Sequence, residues 1–265
     1  MPFDIVKPGD RTAYDDKLAR GIMLPLSGAA YSPSPQICLT NLFKGTKAIV
    51  ISFRGTNAFL QLVQEADQSI FHEKVPFVAG GNVNKYFYQA FLAVWNAGMK
   101  DDFITLKNKY PNYQLYITGH SLGGAMASLA ASYISATGLY EKALIRLVTL
   151  GQPRTGDAAW AKWHDTNVPY TLRITHSHDM VVHVPVELMG YSHHMSEVFF
   201  KGDMGSGATY TLCEADDSKS CSDGNLTDLS INDHLHYYDK DVSGYGEAGC
   251  TGNGAESFIP FVPPQ

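Results

Sequence analysis

The 265-residue chain has no apolar run approaching the roughly 20 residues that cross a bilayer, so it offers no candidate membrane-spanning helix. It has no excess of basic residues either: 20 Lys and Arg stand against 26 Asp and Glu, a net charge of −6. A phosphate-backbone partner needs a basic face that releases counterions, so nucleic acid is set aside. The opening stretch MPFDIVKPGDRTAYDD lacks a basic n-region followed by an apolar h-region, so no signal peptide is expected and the chain reads as cytosolic or as a mature form. Repeats and low-complexity tracts are missing, as is any compositional break, which leads us to expect one domain over residues 1–265. A chain of this length buries about three-quarters of its unfolded surface, so no metal or staple is needed merely to hold a core.

Cysteine is scarce, at four residues, but the number is even and the positions read as loops or element ends, which favours the mature, secreted form. Cys213 and Cys221 flank the polar, turn-rich EADDSKS, a setting better suited to a short disulfide than to a metal or redox pair. Cys38 and Cys250 remain to tie the N-terminal third to the C-terminus. Asn225, in NLT, fits the glycosylation pattern.

Along the chain, DDKLARGIMLPLSGAAY reads as a helix kinked or broken at Pro25. ICLTNLF and KAIVISFRG read as strands, the second nearly all apolar and therefore central. A long helix or two follows, stopping before Pro111. Then strand YQLYITG, helix SLGGAMASLAASYISATG, strand ALIRLVTLG, helix TGDAAWAKWHD and strand PYTLRITHSHD alternate. Such alternation implies right-handed crossovers and an α/β fold with a mostly parallel sheet. Ligands are expected at the carboxyl ends of its strands. The last third, apart from a strand-like GATYTLC, is irregular.

Gly119-His120-Ser121-Leu122-Gly123 fits Gly-x-Ser-x-Gly between a strand and a helix, the context this motif requires. The sharp turn leaves no room for Cβ atoms two residues either side of the serine, and it lifts Ser121 to a helix N-terminus whose free N–H groups can stabilise an oxyanion. The plainer alternative makes Ser121 the N-cap of that helix. A serine nucleophile needs a histidine base oriented by a buried carboxylate, in the chain order Ser, acid, His. Asp179, just past a strand end, is the candidate acid, with Asp203, Glu187 and Asp233 in reserve; His234 is the candidate base, and His236 would face the other way. Among ten histidines, His176, His178, His183, His193 and His194 cluster in sequence. Their spacing matches no His-x-x-x-His or finger pattern, so neither metal nor cofactor is expected. Unperturbed imidazoles titrate near 6.5, where the cluster is expected to make activity pH-sensitive.

Four segments, ISFRGT, ITGHSLGGAMASL, LRITHSHDMVVHVP with GYSHH after it, and DHLHYY, together resemble the fungal-type triacylglycerol lipase family, the class 3 lipases. The resemblance implies an α/β-hydrolase fold and a Ser121, Asp179, His234 triad. It also implies an oxyanion hole in which Thr56 donates through backbone N–H and hydroxyl, and Leu122 through its backbone N–H. LSGAAYS before Cys38 likewise implies a Cys38–Cys250 disulfide and a secreted origin. A short helical lid is implied after Thr56, at about residues 57–71. There Phe59, Val63, Ala66 and Ile70 step along one helical face with Leu60 and Leu62 beside it, although such a stripe is more often ordinary core. The implied partners are a lipid ester and its water interface, with triacylglycerol first. A carboxylesterase, a feruloyl esterase or phospholipase A on the same scaffold, and a lipid-binding protein without catalysis, are the alternatives. The apolar lid face favours lipid.

Overall fold

The computed structural model describes residues 14–42, 47–64 and 69–252; residues 1–13 of the opening stretch, and Ala66 of the apolar stripe, lie outside them. Helix α1 (Asp16–Leu18) is capped by the Asp15 carboxylate, which accepts from the N–H groups of Lys17 and Leu18. A π-helical turn, Ala19–Met23, carries the chain into α2 (Leu24–Ala29), so the break expected at Pro25 takes the form of a widened turn just before it. Segment ICLTNLF, read as a strand, falls largely in helix α3 (Pro35–Leu42). Pro35 opens this helix, where its missing N–H costs nothing, and seven residues are too few to separate a period of 2 from one of 3.6.

Next come β1 (Ala48–Phe53), α4 (Asn57–Gln64), and a hairpin of β2 (Lys74–Pro76) and β3 (Asn82–Asn84). Helices α5 (Lys85–Val94) and α6 (Lys100–Lys109) are separated by a π-helical turn in which Gly98 has φ 130°. The strand–helix alternation runs β4 (Gln114–His120), α7 (Leu122–Ala136), β5 (Ile145–Leu150), α8 (Ala158–Asn167) and β6 (Thr171–His176). Beyond it lie β7 (Glu197–Phe200), β8 (Thr211–Cys213), α9 (Ile231–Leu235), the ladder β9 (His236–Tyr237) with β10 (Lys240–Asp241), and α10 (Val242–Glu247). Strand β7 was not foreseen, being only four residues long.

Among the described residues the main sheet has the order β1-β4-β5-β6-β7-β8, parallel until the antiparallel β8. Alternate residues feed two cores. Ile117, Ile145 and Leu147 join Phe87, Phe91, Leu129 and Trp160 of α5, α7 and α8, while Tyr116, Val148 and Leu150 join Leu18, Leu24 and Leu26 of α1 and α2. Burial on both faces is why the central strands read as continuous apolar runs. Disulfides join Cys38 to Cys250 and Cys213 to Cys221. Among the described residues no helix is long and apolar enough to cross a membrane.

Candidate active site

The carboxyl end of β4 delivers Ser121 into a strained turn, φ 63° and ψ −132°, directly before α7. The two glycines of the motif are sterically obligatory. A Cβ on Gly119 would lie 2.2 Å from the Gly123 carbonyl oxygen, and one on Gly123 would lie 2.2 Å from the Phe53 carbonyl oxygen of β1. The second contact shows that the elbow is pressed against β1 as well as against itself. Ser121 is 1% exposed, and its side chain makes no capping bond to the helix, which removes the N-cap alternative.

Asp179 and His234 meet beside it. The His234 Nδ1–H donates to both carboxylate oxygens of Asp179 at 2.9 Å, and both residues are buried. Asp179 also accepts from the Tyr237 hydroxyl at 2.6 Å and from the Val181 N–H at 2.8 Å. Burial pushes its pKa up, but the charge and hydrogen bond of His234 and those two donors outweigh burial and hold the carboxyl below its usual range. The loops carrying acid and histidine are laced together by backbone bonds, Ser230 N–H to His178 O at 2.7 Å and Met180 N–H to Ser230 O at 3.3 Å. Gly151, at φ 57°, completes the site: a Cβ there would lie 2.8 Å from Asp179 Oδ2 and 2.9 Å from the His234 ring. Among the described residues, Ser121 Oγ and His234 Nε2 are both buried and without a hydrogen-bond partner.

The competing residues are employed elsewhere. His236 Nδ1 lies 2.8 Å from the Asn232 carbonyl, and Asp203 is exposed. Glu187 faces Arg154 and Lys219, and Asp233 accepts from the His178 N–H. His176 and His178 hold the loops through carbonyls of Asp233, His236 and Thr227. Tyr237, Gly151 and Tyr31, whose hydroxyl lies 2.9 Å from His120 Nδ1, were all missed. Gly151 directly follows strand ALIRLVTL, and Tyr31 and Tyr237 lie in the resembling segments LSGAAYS and DHLHYY, which were the available signals.

The rest of the histidine cluster is buried, which corrects the expectation that it titrates near 6.5. His194 accepts from the Gln152 amide and donates to the Met195 carbonyl. It stacks on His164 with ring centroids 4.0 Å apart, and burial drives His164 down to about 3 and His194 well below its usual value. Burial lowers His183 and His193 too, with the positive charge of Arg154 adding to the effect. Asn225, the candidate glycosylation site, is half-buried and its amide donates to the Ser177 carbonyl. Among the described residues no three His, Cys, Asp or Glu are placed to hold a metal ion.

On the other side of Ser121, the loop after β1 passes so close that a Cβ on Gly55 would lie 2.9 Å from the Ser121 Cβ. Thr56 follows, half-buried, its hydroxyl accepting from the Ala58 N–H at 3.2 Å. Leu122 is the first residue of α7, so its N–H has no acceptor within the helix. Helix α4 then lies with Phe59 and Val63 buried in the larger core, where Phe59 packs edge-on against Phe71 and Phe87. Leu60, Leu62 and Ile70 are half-buried, and Asn57, Ala58, Gln61 and Gln64 face out.

The profile described as Lipase (class 3) matches residues 50–189. Lipase ZK262.3 of Caenorhabditis elegans is 32% identical over 232 residues, 76% of this chain and 65% of that protein. The lipase of Rhizomucor miehei is 35% identical over 199 residues, 72% of this chain and 52% of that protein. The solved structure of Rhizomucor miehei triacylglyceride lipase shares the fold at a TM-score of 0.74 and 24% identity, covering 85% of this chain and 96% of that one. The chain spans between about half and two-thirds of the length of these two sequence relatives. The sheet order and serine elbow are those of an α/β-hydrolase, and the chain belongs to the class 3 lipase family.

Proposed function

We propose that the chain hydrolyses carboxylic esters of lipids, triacylglycerol first, through an acyl-enzyme on Ser121. The observation that carries this reading is the pair of buried, unpartnered atoms, Ser121 Oγ and His234 Nε2, behind which Asp179 holds Nδ1–H. Because Nδ1 donates to the carboxylate, the neutral ring carries its lone pair on Nε2, which is the tautomer a general base needs. His234 takes the Ser121 proton as Oγ attacks the ester carbonyl, and Asp179 stabilises the imidazolium that forms. The oxyanion is held by the N–H groups of Thr56 and Leu122, with the Thr56 hydroxyl, which accepts from the Ala58 N–H, donating its own proton alongside them. His234 then protonates the leaving alcohol, and water repeats the sequence on the acyl-enzyme. Family membership and the names of the relatives support the lipid ester, and two disulfides support a secreted setting.

Helix α4 serves as the lid. Turning it outward exposes Phe59 and Val63, which are 0% and 6% exposed, at about 1.5–3 kcal/mol each, so the open form is scarce in water and favoured on a lipid surface. Hydrolysis of tributyrin across its solubility limit tests this. The expected result is a rise in rate of roughly 100-fold or more once droplets form, following from about 3 kcal/mol of opening cost. Saturation below the limit, with no further rise, would leave an esterase without a working lid.

A further inference from the structure

Ser121, the oxyanion loop and the histidine loop come from three separate parts of the chain, yet one line of hydrogen bonds crosses all three. The Gly55 N–H donates to the Tyr31 hydroxyl oxygen at 3.0 Å. That hydroxyl lies 2.9 Å from His120 Nδ1, and His120 Nε2 lies 2.8 Å from the backbone carbonyl of His234. Each direction is forced. A carbonyl only accepts, so Nε2 carries the proton. His120 is 1% exposed, and burial with the neighbouring His234 charge pushes its pKa down to about 3, so the ring is neutral and Nδ1 is a lone pair. The Tyr31 proton therefore points at Nδ1, leaving its oxygen to receive Gly55. Both ends of the line are main-chain groups, one on the residue before Thr56 and the other on His234 itself.

We propose that Tyr31 and His120 are positioning residues for acyl transfer, setting the oxyanion loop and the catalytic histidine at fixed distances from Ser121 through this line of bonds. The proposal rests on the hydrolase reading above. His120 flanks the nucleophile in the elbow, so its ring is fixed to the same strand end as Ser121. It stacks on the His234 ring with centroids 4.6 Å apart at 26°. Staying neutral, it neither repels the imidazolium formed at His234 nor exchanges its tautomer during turnover. The packing around the line leaves little slack: a Cβ on Gly55 would lie 2.5 Å from the Tyr31 hydroxyl.

The test uses the full chain with both disulfides, sites being counted by fluorophosphonate labelling and turnover measured on p-nitrophenyl butyrate. Tyr31→Phe keeps the ring and removes one oxygen. It is expected to lower kcat per labelled site about 10- to 100-fold with KM within about twofold, the scale of a misplacement of about 1 Å. His120→Ala should lose at least as much. His120→Gln, whose amide N–H reaches the Nε2 position, should recover about tenfold over alanine, whereas His120→Asn, which reaches only the Nδ1 position, should not. Nitrogen-15 spectra of the imidazoles should show His120 as the Nε2–H tautomer between about pH 5 and 8, in the wild type and in Ser121→Ala, independently of turnover. A purely structural pair would lower the labelled fraction or the melting temperature and leave kcat per labelled site unchanged. That result for Tyr31→Phe, or a glutamine variant no better than alanine, overturns the proposal. A wild-type chain that shows the tautomer but neither labels nor hydrolyses overturns the hydrolase reading on which the role rests.

Discussion

Acidifying the protein should destabilise it before its carboxylates are titrated, because several histidines are buried in the neutral form. His120 and His164 are each pushed down to about 3, and His183, His193 and His194 are lowered as well, burial being the largest cause in every case. An unfolded imidazole titrates near 6.5. Below that pH the unfolded chain binds protons that the folded chain does not. The stability these residues contribute is therefore complete above about pH 6.5 and is lost as the pH falls toward the folded values. At pH 5, about 1.5 units below 6.5, each of His120 and His164 removes about 2 kcal/mol, or about 4 kcal/mol together, with the other three adding in the same direction. That is a large share of the 5–15 kcal/mol typical of a folded domain. Asp179, held below its usual range, contributes stability that is present above about 3.8 and is lost only at still lower pH. The assay is guanidinium unfolding followed by tryptophan fluorescence at several pH values from about 8 down to 5. A nearly level unfolding free energy above pH 7, then a fall of about 4 kcal/mol or more by pH 5, is expected. Equal stability at pH 7 and pH 5 would refute the reasoning.

Other perturbations probe the site and its frame. Gly151→Ala places a methyl 2.8 Å from Asp179 Oδ2, so kcat on a soluble ester should fall about 100-fold while the chain still folds by circular dichroism. Tyr237→Phe deletes a buried bond to the carboxylate and should cost about 1.5–3 kcal/mol of stability, read from denaturant midpoints. Replacing Arg154 by alanine takes the guanidinium away from the half-buried Asp217 and the buried Asp223, which it contacts at 2.8 and 2.7 Å, leaving Ser192, the His193 N–H and Lys219 to offset their charge. Thermal unfolding should then report a loss of about 3–5 kcal/mol. Removing the Cys38–Cys250 link by paired serine substitutions should cost about 2–5 kcal/mol in the same measurement.

The parts of the fold legible in the sequence were those where local chemistry and tertiary position agree. Strand β4, the elbow and α7 form one continuous stretch whose glycines, β-formers and small helical residues each have a local cause, and Ser121 stood out accordingly. Asp179 and His234 were readable only as an ordered pair past a strand end and in a late loop. Thr56 and Leu122 entered only through family resemblance. Tyr237 and Tyr31 lie in the segments DHLHYY and LSGAAYS, but their roles were not legible, because a tyrosine's hydrogen-bond partner 58 or 89 residues away leaves no trace in its neighbours. Segment ICLTNLF misled because its alternation is short and Pro35 was not weighed as a helix start. His183, His193 and His194 of the histidine cluster misled for another reason: sequence gives the number of imidazoles but not their burial, and burial makes these three neutral core residues. Part of the apolar stripe of α4 is core in this conformation, through Phe59 and Val63, which fits ordinary core as well as the closed lid proposed above.

The most direct test of the central claim is to map the site of fluorophosphonate attachment by peptide mass spectrometry, alongside residual ester hydrolysis. One label per chain on Ser121, complete loss of hydrolysis, and labelling slowed by about a thousandfold or more in His234→Ala but not in His236→Ala are expected. A label on another residue, or hydrolysis that survives full labelling of Ser121, would contradict the account.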